Sequence, residues 1–429
     1  MGRPVSDRTI DVLLIGGGIA SASAAAELRE AGFEGSIALV TRELDPPYHR
    51  PPITKGYLRG DEERALTLIL PEAWYAEHDV ELLTRTSVMG LDAEARTAKL
   101  GKQEVGFGQA LVATGAMVRR LQVDGAQRDG IHYLRALPNA DALREAVLDA
   151  ERIAVVGGSY IATEVAASLT LLGKRCTIVM QEELPLERGF GAVAGRFVAD
   201  LLTGHGIEIV SQADVVELAG EGDDDAPVSA VVCADGRRIE TDLVVVGVGA
   251  IPDVMLARKS GLQIGDSGGV ACDSRLQSSV EGIFAAGDMC EYDSVIHRRR
   301  LRIEHEEVAA AQGRAAARAM LASDEPFAEV PYFWSDLADW ATLEYVGPAA
   351  VWDEEIVRGD LAKGKFTIWY LDGGLLVAAL AAGRSDDLDI ARSLLVSGVD
   401  IGPLRHSLTD VGSDLSFLVG GREGGGSWV

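Results

Sequence analysis

Cysteine is scarce in this chain and does not occur before residue 176. The four cysteines are Cys176, Cys233, Cys272 and Cys290, and no two of them form a C-x-x-C pair. A small secreted domain stabilised by disulfides needs many more, so this usage argues against a disulfide framework. It favours a reducing, cytoplasmic location.

Long apolar runs and an excess of positive charge are also missing. No apolar stretch approaches the ~18 residues of a membrane-spanning helix. The chain has 40 Lys and Arg against 66 Asp and Glu, a formal net charge of -26, which argues against generic binding to nucleic acid or to an anionic membrane. With 429 residues, 47% of them hydrophobic, the chain is long enough for two or three globular domains.

What the sequence does contain is a nucleotide-binding pattern that occurs twice. The first copy is DVLLIGGGIASASAAAELREAGFEGSIALV (11–40) and the second is RIAVVGGSYIATEVAASLTLLGKRCTIVM (152–180). Each reads as an apolar strand, a glycine-rich turn, a small-residue helix and a second strand. Such a βαβ unit binds a pyrophosphate at the amides of the helix N-terminus. Two copies predict two dinucleotides, and the simplest use of two is electron transfer between them.

Both copies depart from the full G-x-G-x-x-G pattern. The first ends in Ser21, and the second has Ser159 at the position where the backbone must approach the phosphates, with Ala162 last. Small residues can still pack helix against strand, so both copies remain predicted sites. We expect Ser159 to weaken the second one.

Further strand-and-turn segments indicate how the chain is divided. ALVATGA (110–116), TDLVVVGVGAIPD (241–253) and GIFAAGD (282–288) suggest a first domain that is interrupted by the second βαβ unit and then resumes. From about residue 330 aromatic-rich alternating strands predict a third domain. The predicted fold class is therefore α/β, with two Rossmann-like dinucleotide-binding domains, an arrangement that resembles the glutathione-reductase fold, and a C-terminal α+β domain. The expected boundaries are 1–117 with 247–328 for the first dinucleotide-binding domain, 118–246 for the second, 329–419 for the C-terminal domain and 420–429 for a disordered tail.

These features, in this order, resemble the FAD-dependent pyridine nucleotide–disulfide oxidoreductases. More narrowly, they resemble the ferredoxin reductases of Rieske oxygenases and bacterial P450 systems, and apoptosis-inducing factor. The resemblance covers nearly the whole chain. Its motifs, besides the two βαβ units, are PYHRPPITK (47–55), AAGD (285–288), RIEH (302–305), YFWSD (332–336) and DEEIVRG (353–359).

The resemblance implies that the first βαβ unit holds FAD. A carboxylate after its second strand, Glu43, would accept the adenosine ribose hydroxyls, and Arg42 stands where the family often has another acid. The residues it assigns to FAD, or to packing on the flavin, are Gly16, Gly17, Gly18, Ile19, Ala20, Glu43, Arg50, Val88, Ala113, Thr114, Gly115, Arg119, Asp288, Glu304, His305, Glu306 and Trp334.

The resemblance assigns the second βαβ unit to NADH and the chemistry to Lys55 and Glu164. In the family this lysine lies beside the flavin ring, where its ammonium stabilises negative charge, and the carboxylate keeps the lysine charged. Glu182 favours NADH because a carboxylate repels the 2′-phosphate of NADPH, whereas the nearby Arg188 is the main risk to that preference. The remaining cofactor-binding residues are Gly157, Gly158, Ser159, Tyr160, Ile161, Glu164, Glu182, Arg188 and Gly249.

The electron acceptor follows less directly. Disulfide reductases of this superfamily carry cysteines shortly after the first βαβ unit, and this chain has DPPYHRPPITKGYLRG (45–60) there, so thiol–disulfide chemistry is not expected. We predict single-electron transfer to a ferredoxin. The alternatives are an NADH-dependent reductase of quinone or another small acceptor, and a redox-sensing interaction protein resembling apoptosis-inducing factor, since Glu306 stands where ferredoxin reductases often have tryptophan.

An acidic ferredoxin needs a local basic surface on a chain of this charge. The densest basic run is HRRRLR (297–302), so we predict docking near Arg298, Arg299, Arg300 and Arg302. Part of this run could instead lie in a strand and bind the protein's own carboxylates. No nucleic-acid, membrane or metal site is expected, and the sequence is consistent with a monomer or a homodimer.

Overall fold

The structure, a computed structural model, describes residues 8–222, 226–349 and 351–418. The predicted tail at 420–429 lies outside these residues. The described chain forms two compact units. The first contains residues up to 50, then 62–117 and 250–331, and the second contains 51–61, 118–249 and the described residues from 332 onward.

The first unit is built on a mostly parallel sheet. The strands of this unit are β1 (Thr9–Ile15), β2 (Ile37–Val40), β3 (Val80–Leu83), β4 (Val88–Asp92), β5 (Thr97–Leu100), β6 (Gln103–Val112), β16 (Ala250–Pro252), β17 (Val270–Cys272), β18 (Ile283–Ala285), β19 (Cys290–Ser294) and β20 (Arg299–Arg302). In the sheet, β2, β1 and β6 pair side by side, with β3 beyond β2 and β18 against β6. Runs such as VLLI in β1 are buried on both faces, as expected for strands covered by helices on each side of a parallel sheet. The helices of the unit are α1 (Ile19–Glu30), α3 (Glu72–Glu77), α7 (Met255–Lys259) and α8 (Glu306–Met320).

Two small-residue helices, α1 and α8, pack closely in this unit. Gly313 of α8 faces the backbone of Ala20, so that a Cβ at Gly313 would collide with the Ala20 carbonyl oxygen. The alanines along both helices leave room for this approach, which explains why both are so rich in alanine. The packing fixes the start of α1, where the first glycine turn ends.

The second unit contains a parallel sheet and an antiparallel layer. Its elements up to residue 249 are α2 (Gly56–Arg59), β8 (Ile131–Tyr133), α4 (Leu137–Asp149), β9 (Arg152–Val156), α5 (Tyr160–Leu171), β10 (Arg175–Val179), α6 (Glu187–Gly204), β11 (Glu208–Val210), β12 (Val215–Gly220), β13 (Val228–Cys233), β14 (Arg238–Glu240) and β15 (Leu243–Val246). The parallel sheet has the strand order β11–β10–β9–β15–β8, and the antiparallel layer has the order β12–β13–β14. Strand β7 (Ala116–Val118) lies where the chain passes from the first unit to the second.

The C-terminal part of the second unit is a five-stranded antiparallel sheet with helices. The elements are β21 (Tyr332–Leu337), β22 (Ala341–Val346), β23 (Glu354–Asp360), β24 (Lys365–Asp372), β25 (Leu375–Ala382), α9 (Asp386–Ser397) and α10 (Arg405–Thr409). The strand order is β21–β22–β25–β24–β23. Helix α9 packs against β25 and is followed by Gly398, whose positive φ of 61° is typical of the residue that stops a helix. The predicted three-domain boundaries stay a prediction. The structure itself groups 51–61 and this sheet with the second βαβ unit.

Candidate dinucleotide and electron-transfer site

The first glycine turn has the geometry of a pyrophosphate cradle. Gly16 has φ of +123°, and a Cβ there would collide with the Ala113 carbonyl oxygen, while one at Gly17 would collide with the Thr41 side chain. At Gly18, which caps α1, a Cβ would meet nothing within 4 Å. Two glycines are therefore required by the packing, and the third leaves open space at the amides of the helix N-terminus. That is the shape and polarity that a pyrophosphate needs.

The predicted ribose carboxylate, Glu43, is already held by two neighbours. Arg50 contacts one of its oxygens, and the Tyr48 hydroxyl donates to the other. A carboxylate has about four acceptor positions, so it can still accept a ribose hydroxyl in this arrangement. Arg42 forms an ion pair of 3.3 Å with the nearly buried Asp253, and not with Glu43.

The other predicted FAD residues of the first unit lie at strand ends. Ala113, Thr114 and Gly115 follow β6, and the Thr114 hydroxyl donates to the Asp253 carbonyl oxygen over 2.6 Å. Val88 begins β4, and Asp288 follows the short β18, with its carbonyl oxygen accepting from the Arg302 guanidinium over 2.9 Å. The carboxyl ends of parallel strands, which Ala113 and Asp288 follow, are where ligands bind in open α/β folds, whereas Val88 begins an antiparallel strand.

Three of the predicted flavin-packing residues lie at the start of α8. The helix begins at Glu306, and His305 is its N-cap, with extended backbone. The Glu304 carboxylate pairs with Arg302. Burial lowers the pKa of His305 to about 4, so the imidazole is neutral near pH 7.

Glu306 is turned toward the proline-rich loop of its own unit. Its carboxylate contacts His49 Nδ1 at 2.7 Å and accepts the Arg50 backbone N–H at 3.0 Å. The hydrogen bond that His49 donates to Glu306 raises the pKa of His49. Glu306 thus holds the loop at residues 49 and 50.

The second glycine turn repeats the first in the other unit. Gly157 has φ of +121°, and a Cβ there would collide with the Gly247 carbonyl oxygen, while one at Gly158 would lie 2.8 Å from the Met180 sulfur. The Ser159 hydroxyl donates to the Gly247 carbonyl oxygen over 2.7 Å and lies 3.5 Å from the Ala162 amide. It is therefore tied down inside the turn, which gives a physical reason for serine at this position.

Glu182 lies at the same turn. Its Oε2 atom is 3.4 Å from where a Gly158 Cβ would be, and its Oε1 atom pairs with Arg188. Arg188 is exposed, with 74% of its side chain accessible. Tyr160 and Ile161 begin α5 directly after the turn. In the same unit the Arg119 amide donates to the Gly249 carbonyl oxygen over 2.9 Å.

Lys55 lies in a cluster that the sequence only half revealed. Its Nζ atom is 3.5 Å from Glu164 Oε1, as predicted, but 2.9 Å from Asp336 Oδ2. It also lies 5.7 Å from the centroid of the Trp334 ring, within cation–π range. Asp336 was missed because it is 281 positions away. Its only signal was the YFWSD motif that also contains Trp334.

Glu164 is buried and is satisfied by two hydroxyl groups. Thr54 donates to one carboxylate oxygen over 2.6 Å and Ser335 to the other over 2.7 Å. Burial raises the pKa of Glu164, although Lys55 and the two hydroxyls oppose that shift. Neither Thr54 nor Ser335 was singled out from the sequence.

The predicted basic surface is only partly available. Arg300 pairs with Asp293 of the adjacent strand at 3.0 Å. Arg302 is turned inward, with 18% of its side chain exposed, toward Glu304 and the Asp288 carbonyl oxygen. Arg298 and Arg299 are exposed at the turn that opens β20. The interpretation that part of the run binds the protein's own carboxylates therefore applies to Arg300 and Arg302.

Two negative observations apply to the described ranges, 8–222, 226–349 and 351–418. No group of three or more His, Cys, Asp or Glu side chains there is placed to bind a metal ion. No helix in these ranges combines the length and apolar character needed to cross a membrane. The four cysteines are all buried and carry no disulfide.

Comparison with known families gives two matches that together span most of the chain. Residues 10–313 match the family described as pyridine nucleotide-disulphide oxidoreductase, and residues 332–419 match the family described as reductase C-terminal. The second match covers the antiparallel sheet that begins at β21.

Individual relatives agree with these matches. The ferredoxin reductase subunit of 5,5'-dehydrodivanillate O-demethylase from a Sphingobium species is 33% identical over 95% of this chain and 98% of that protein. The ferredoxin reductase for the CYP199A2 system of Rhodopseudomonas palustris has a similar structure, with a TM-score of 0.89 and 30% identity, covering 95% of this chain and 100% of that one. The covalent putidaredoxin reductase–putidaredoxin complex also gives a TM-score of 0.89 at 30% identity, over 97% and 99% of the two chains.

The comparisons confirm the predicted family resemblance and the predicted fold class. Ferredoxin reductases of this family use FAD and NAD(H), which confirms the predicted pair of cofactors. The roles of individual residues are not tested by them and stay predictions.

Proposed function

Because the chain belongs to the pyridine nucleotide-disulphide oxidoreductase family, we propose that it is an FAD-dependent enzyme that accepts a hydride from NADH and passes single electrons to a ferredoxin. The observation that carries this proposal is the pair of glycine turns with the same geometry, one in each unit. Gly16 and Gly157 have φ of +123° and +121°, and a side chain at either would collide with a carbonyl oxygen of the neighbouring strand end.

FAD is assigned to the first unit. The open space at Gly18 and the N-terminus of α1 would hold its pyrophosphate, and Glu43, oriented by Arg50 and Tyr48, would accept its ribose hydroxyls. The neutral His305 at the start of α8 leaves the helix N-terminus as the local source of positive potential, which suits an anionic ring. When bound, FAD supplies the ability to take up a hydride and release electrons singly.

NADH is assigned to the second unit. The Gly157 and Gly158 turn would receive its pyrophosphate, and Glu182, beside that turn, would accept the hydroxyls of the adenosine ribose. Lys55 is the predicted catalytic residue, whose ammonium stabilises negative charge on the flavin, and Glu164 is its predicted partner. The loop 51–61 that carries Lys55 belongs to this unit. We keep the three-domain division, with boundaries near 118, 247 and 329, as part of the proposal.

The partner in this proposal is an acidic iron–sulfur protein. The comparison that supports it is the similarity of the chain to a reductase solved in complex with putidaredoxin. Arg298 and Arg299, both exposed, are the proposed centre of the docking surface. A cytoplasmic location and a monomeric or homodimeric state are part of the same proposal and rest on the sequence alone.

Reduction of a defined acceptor by NADH tests the proposal. The purified protein should release FAD on heat denaturation, and NADH should then support catalytic reduction of a panel of [2Fe–2S] ferredoxins that includes putidaredoxin. A water-soluble quinone, assayed in parallel, is the competing acceptor. Release of FMN, or of no flavin after attempted reconstitution, would contradict the cofactor assignment. Turnover with quinone alone would favour the small-acceptor alternative, and flavin reduction without turnover on either acceptor would favour the redox sensor.

A further inference from the structure

The nearest carboxylate to the Lys55 ammonium is Asp336 rather than Glu164. The distance from Lys55 Nζ to Asp336 Oδ2 is 2.9 Å, a hydrogen-bonded ion pair, whereas that to Glu164 Oε1 is 3.5 Å. A charge-assisted hydrogen bond is strong at about 2.7–2.9 Å and weakens as it lengthens. The two contacts therefore differ in kind.

Glu164 does not depend on Lys55 for its hydrogen bonds. Each of its carboxylate oxygens accepts a hydroxyl proton, one from Thr54 and one from Ser335. Only 7% of its side chain is exposed, so little water reaches it. At 3.5 Å Glu164 contributes a nearby charge to Lys55, and the shorter contact to Asp336 sets the direction of the ammonium.

Asp336, in contrast, is held so that one oxygen is directed at the lysine. It stands opposite Thr342 in the pairing of β21 with β22, and the Thr342 hydroxyl donates to Asp336 Oδ1 over 2.7 Å. The other oxygen, Oδ2, is the atom that accepts from Lys55. Because 29% of the Asp336 side chain is exposed, its charge keeps part of its hydration and costs less than a fully buried one.

We propose that Asp336 is a positioning residue for the hydride-transfer reaction: it holds the Lys55 ammonium in place and fixes its direction, while the more distant Glu164 contributes less to both. This inference rests on the proposed function for its catalytic consequence, because Lys55 is the group assigned to the flavin. Its electrostatic part concerns only Lys55, Asp336, Thr342 and Glu164, and can be tested without turnover.

The first experiment measures the reactivity of the Lys55 amine. The purified holoprotein is treated briefly with acetic anhydride at about pH 8, and modification of Lys55 is quantified by peptide mass spectrometry. Because the Lys55 amine is less available to the reagent while it donates to Asp336, D336N should raise the modification rate roughly 10-fold. E164Q should raise it less.

Two variants control this measurement. D339N removes the exposed carboxylate in the turn after the same strand and should leave the rate at that of the parent. T342V removes the hydroxyl that orients Asp336 and should raise the rate in the same direction as D336N, by a smaller factor. If E164Q exceeds D336N, or if D336N and T342V both match D339N, Asp336 is not the group that controls Lys55.

The second experiment separates positioning from folding. In stopped-flow mixing with NADH, K55M should slow flavin reduction most, D336N should slow it about 10-fold or more with little change in the NADH concentration for half-saturation, and D336E should restore part of the rate. Equal rates for D336N and the parent would overturn the catalytic part of the inference. Failure of the parent itself to be reduced by NADH would instead contradict the proposed function, and the amine reactivities would still decide the role of Asp336.

Discussion

Single charges in this protein are controlled by short, specific contacts. Glu182 illustrates this, because the same carboxylate lies 3.4 Å from the position of a Gly158 Cβ and pairs with the exposed Arg188. Met180 places its sulfur 2.8 Å from the position of a Gly158 Cβ, against the same turn. Because Glu182 also reaches this turn, we predict that it is the acid that discriminates between the two coenzymes.

Glu182→Gln should reduce the preference for NADH. The parent should have the higher kcat/KM with NADH, and removal of the carboxylate should lower the NADH to NADPH ratio of kcat/KM by about 10-fold, because repulsion of the 2′-phosphate is lost. Glu183→Gln, at an exposed neighbour, is the matched control and should leave the ratio unchanged. A parent ratio near unity would contradict the assignment of Glu182.

His297 makes stability dependent on pH. It lies in the hairpin between β19 and β20, and among the described residues its Nε2 atom has no hydrogen-bond partner. Burial, with Arg299 nearby, lowers its pKa to about 4 from an ordinary 6.5. The unfolded chain therefore binds more protons between these values, so stability should fall as pH drops from 6.5 to 4.

Replacing His297 tests that dependence. Urea unfolding at several pH values should give a shallower loss of stability below pH 6.5 for His297→Gln than for the parent. His305, whose pKa burial also lowers to about 4, should keep part of the dependence in place. His406→Gln, at an exposed site, serves as the control. If His297→Gln has the same dependence of unfolding free energy on pH as the parent, the His297 imidazole does not contribute to it.

At the scale of elements, the close packing of α1 on α8 holds the first nucleotide turn. Gly313→Ala should destabilise the protein by about 1–3 kcal/mol, because the new Cβ would meet the Ala20 carbonyl oxygen and push the helices apart. Thermal unfolding and the FAD content after purification measure the effect. Gly204→Ala, at a helical glycine whose Cβ would meet nothing within 4 Å, should be neutral or stabilising by up to ~1 kcal/mol.

Elements with local causes could be predicted from the sequence. Both βαβ units and the strands of the C-terminal domain were anticipated, because glycine turns and apolar periodicity act within a few residues. The DEEIVRG motif has an equally physical basis, since the buried Arg358 donates to the carbonyl oxygens of Ser407 and Ser413 and so anchors α10 and the segment after it.

What could not be predicted depends on distant pairing. Asp336 meets Lys55 across 281 positions, and no periodicity marks that contact. Segment 51–61 belongs to the second unit although it lies between two parts of the first. Arg302 reads as part of a basic surface, and alternation along β20 puts it on the same face as the exposed Arg300. It is nevertheless turned toward Glu304 and the Asp288 carbonyl oxygen, contacts that the local pattern does not reveal.

At the scale of the whole molecule, net charge conflicts with the proposed partner. A chain of formal charge -26 repels an acidic ferredoxin at long range. Productive encounter therefore requires a basic surface whose positive potential near the docking site outweighs the negative potential of the rest of the protein. In the hairpin of β19 and β20, Arg300 pairs with Asp293 at 3.0 Å and Arg302 is turned inward. Arg298 and Arg299 are exposed at the turn of this hairpin, and we expect them to contribute most of the steering.

Charge reversal at Arg298 and Arg299 should slow the reduction of ferredoxin while leaving flavin reduction by NADH unchanged. For the parent, the ferredoxin rate should fall as salt rises, because screening weakens the attraction to the basic surface, and the double variant should show a flatter dependence. Reversal of Arg237 and Arg238, an exposed pair at β14 of the second unit, changes net charge equally and separates local steering from general repulsion. Equal slowing by both double variants would assign the effect to net charge. If the variant reversed at Arg298 and Arg299 reduces ferredoxin at the same rate as the parent in low salt, the docking surface lies elsewhere on the protein.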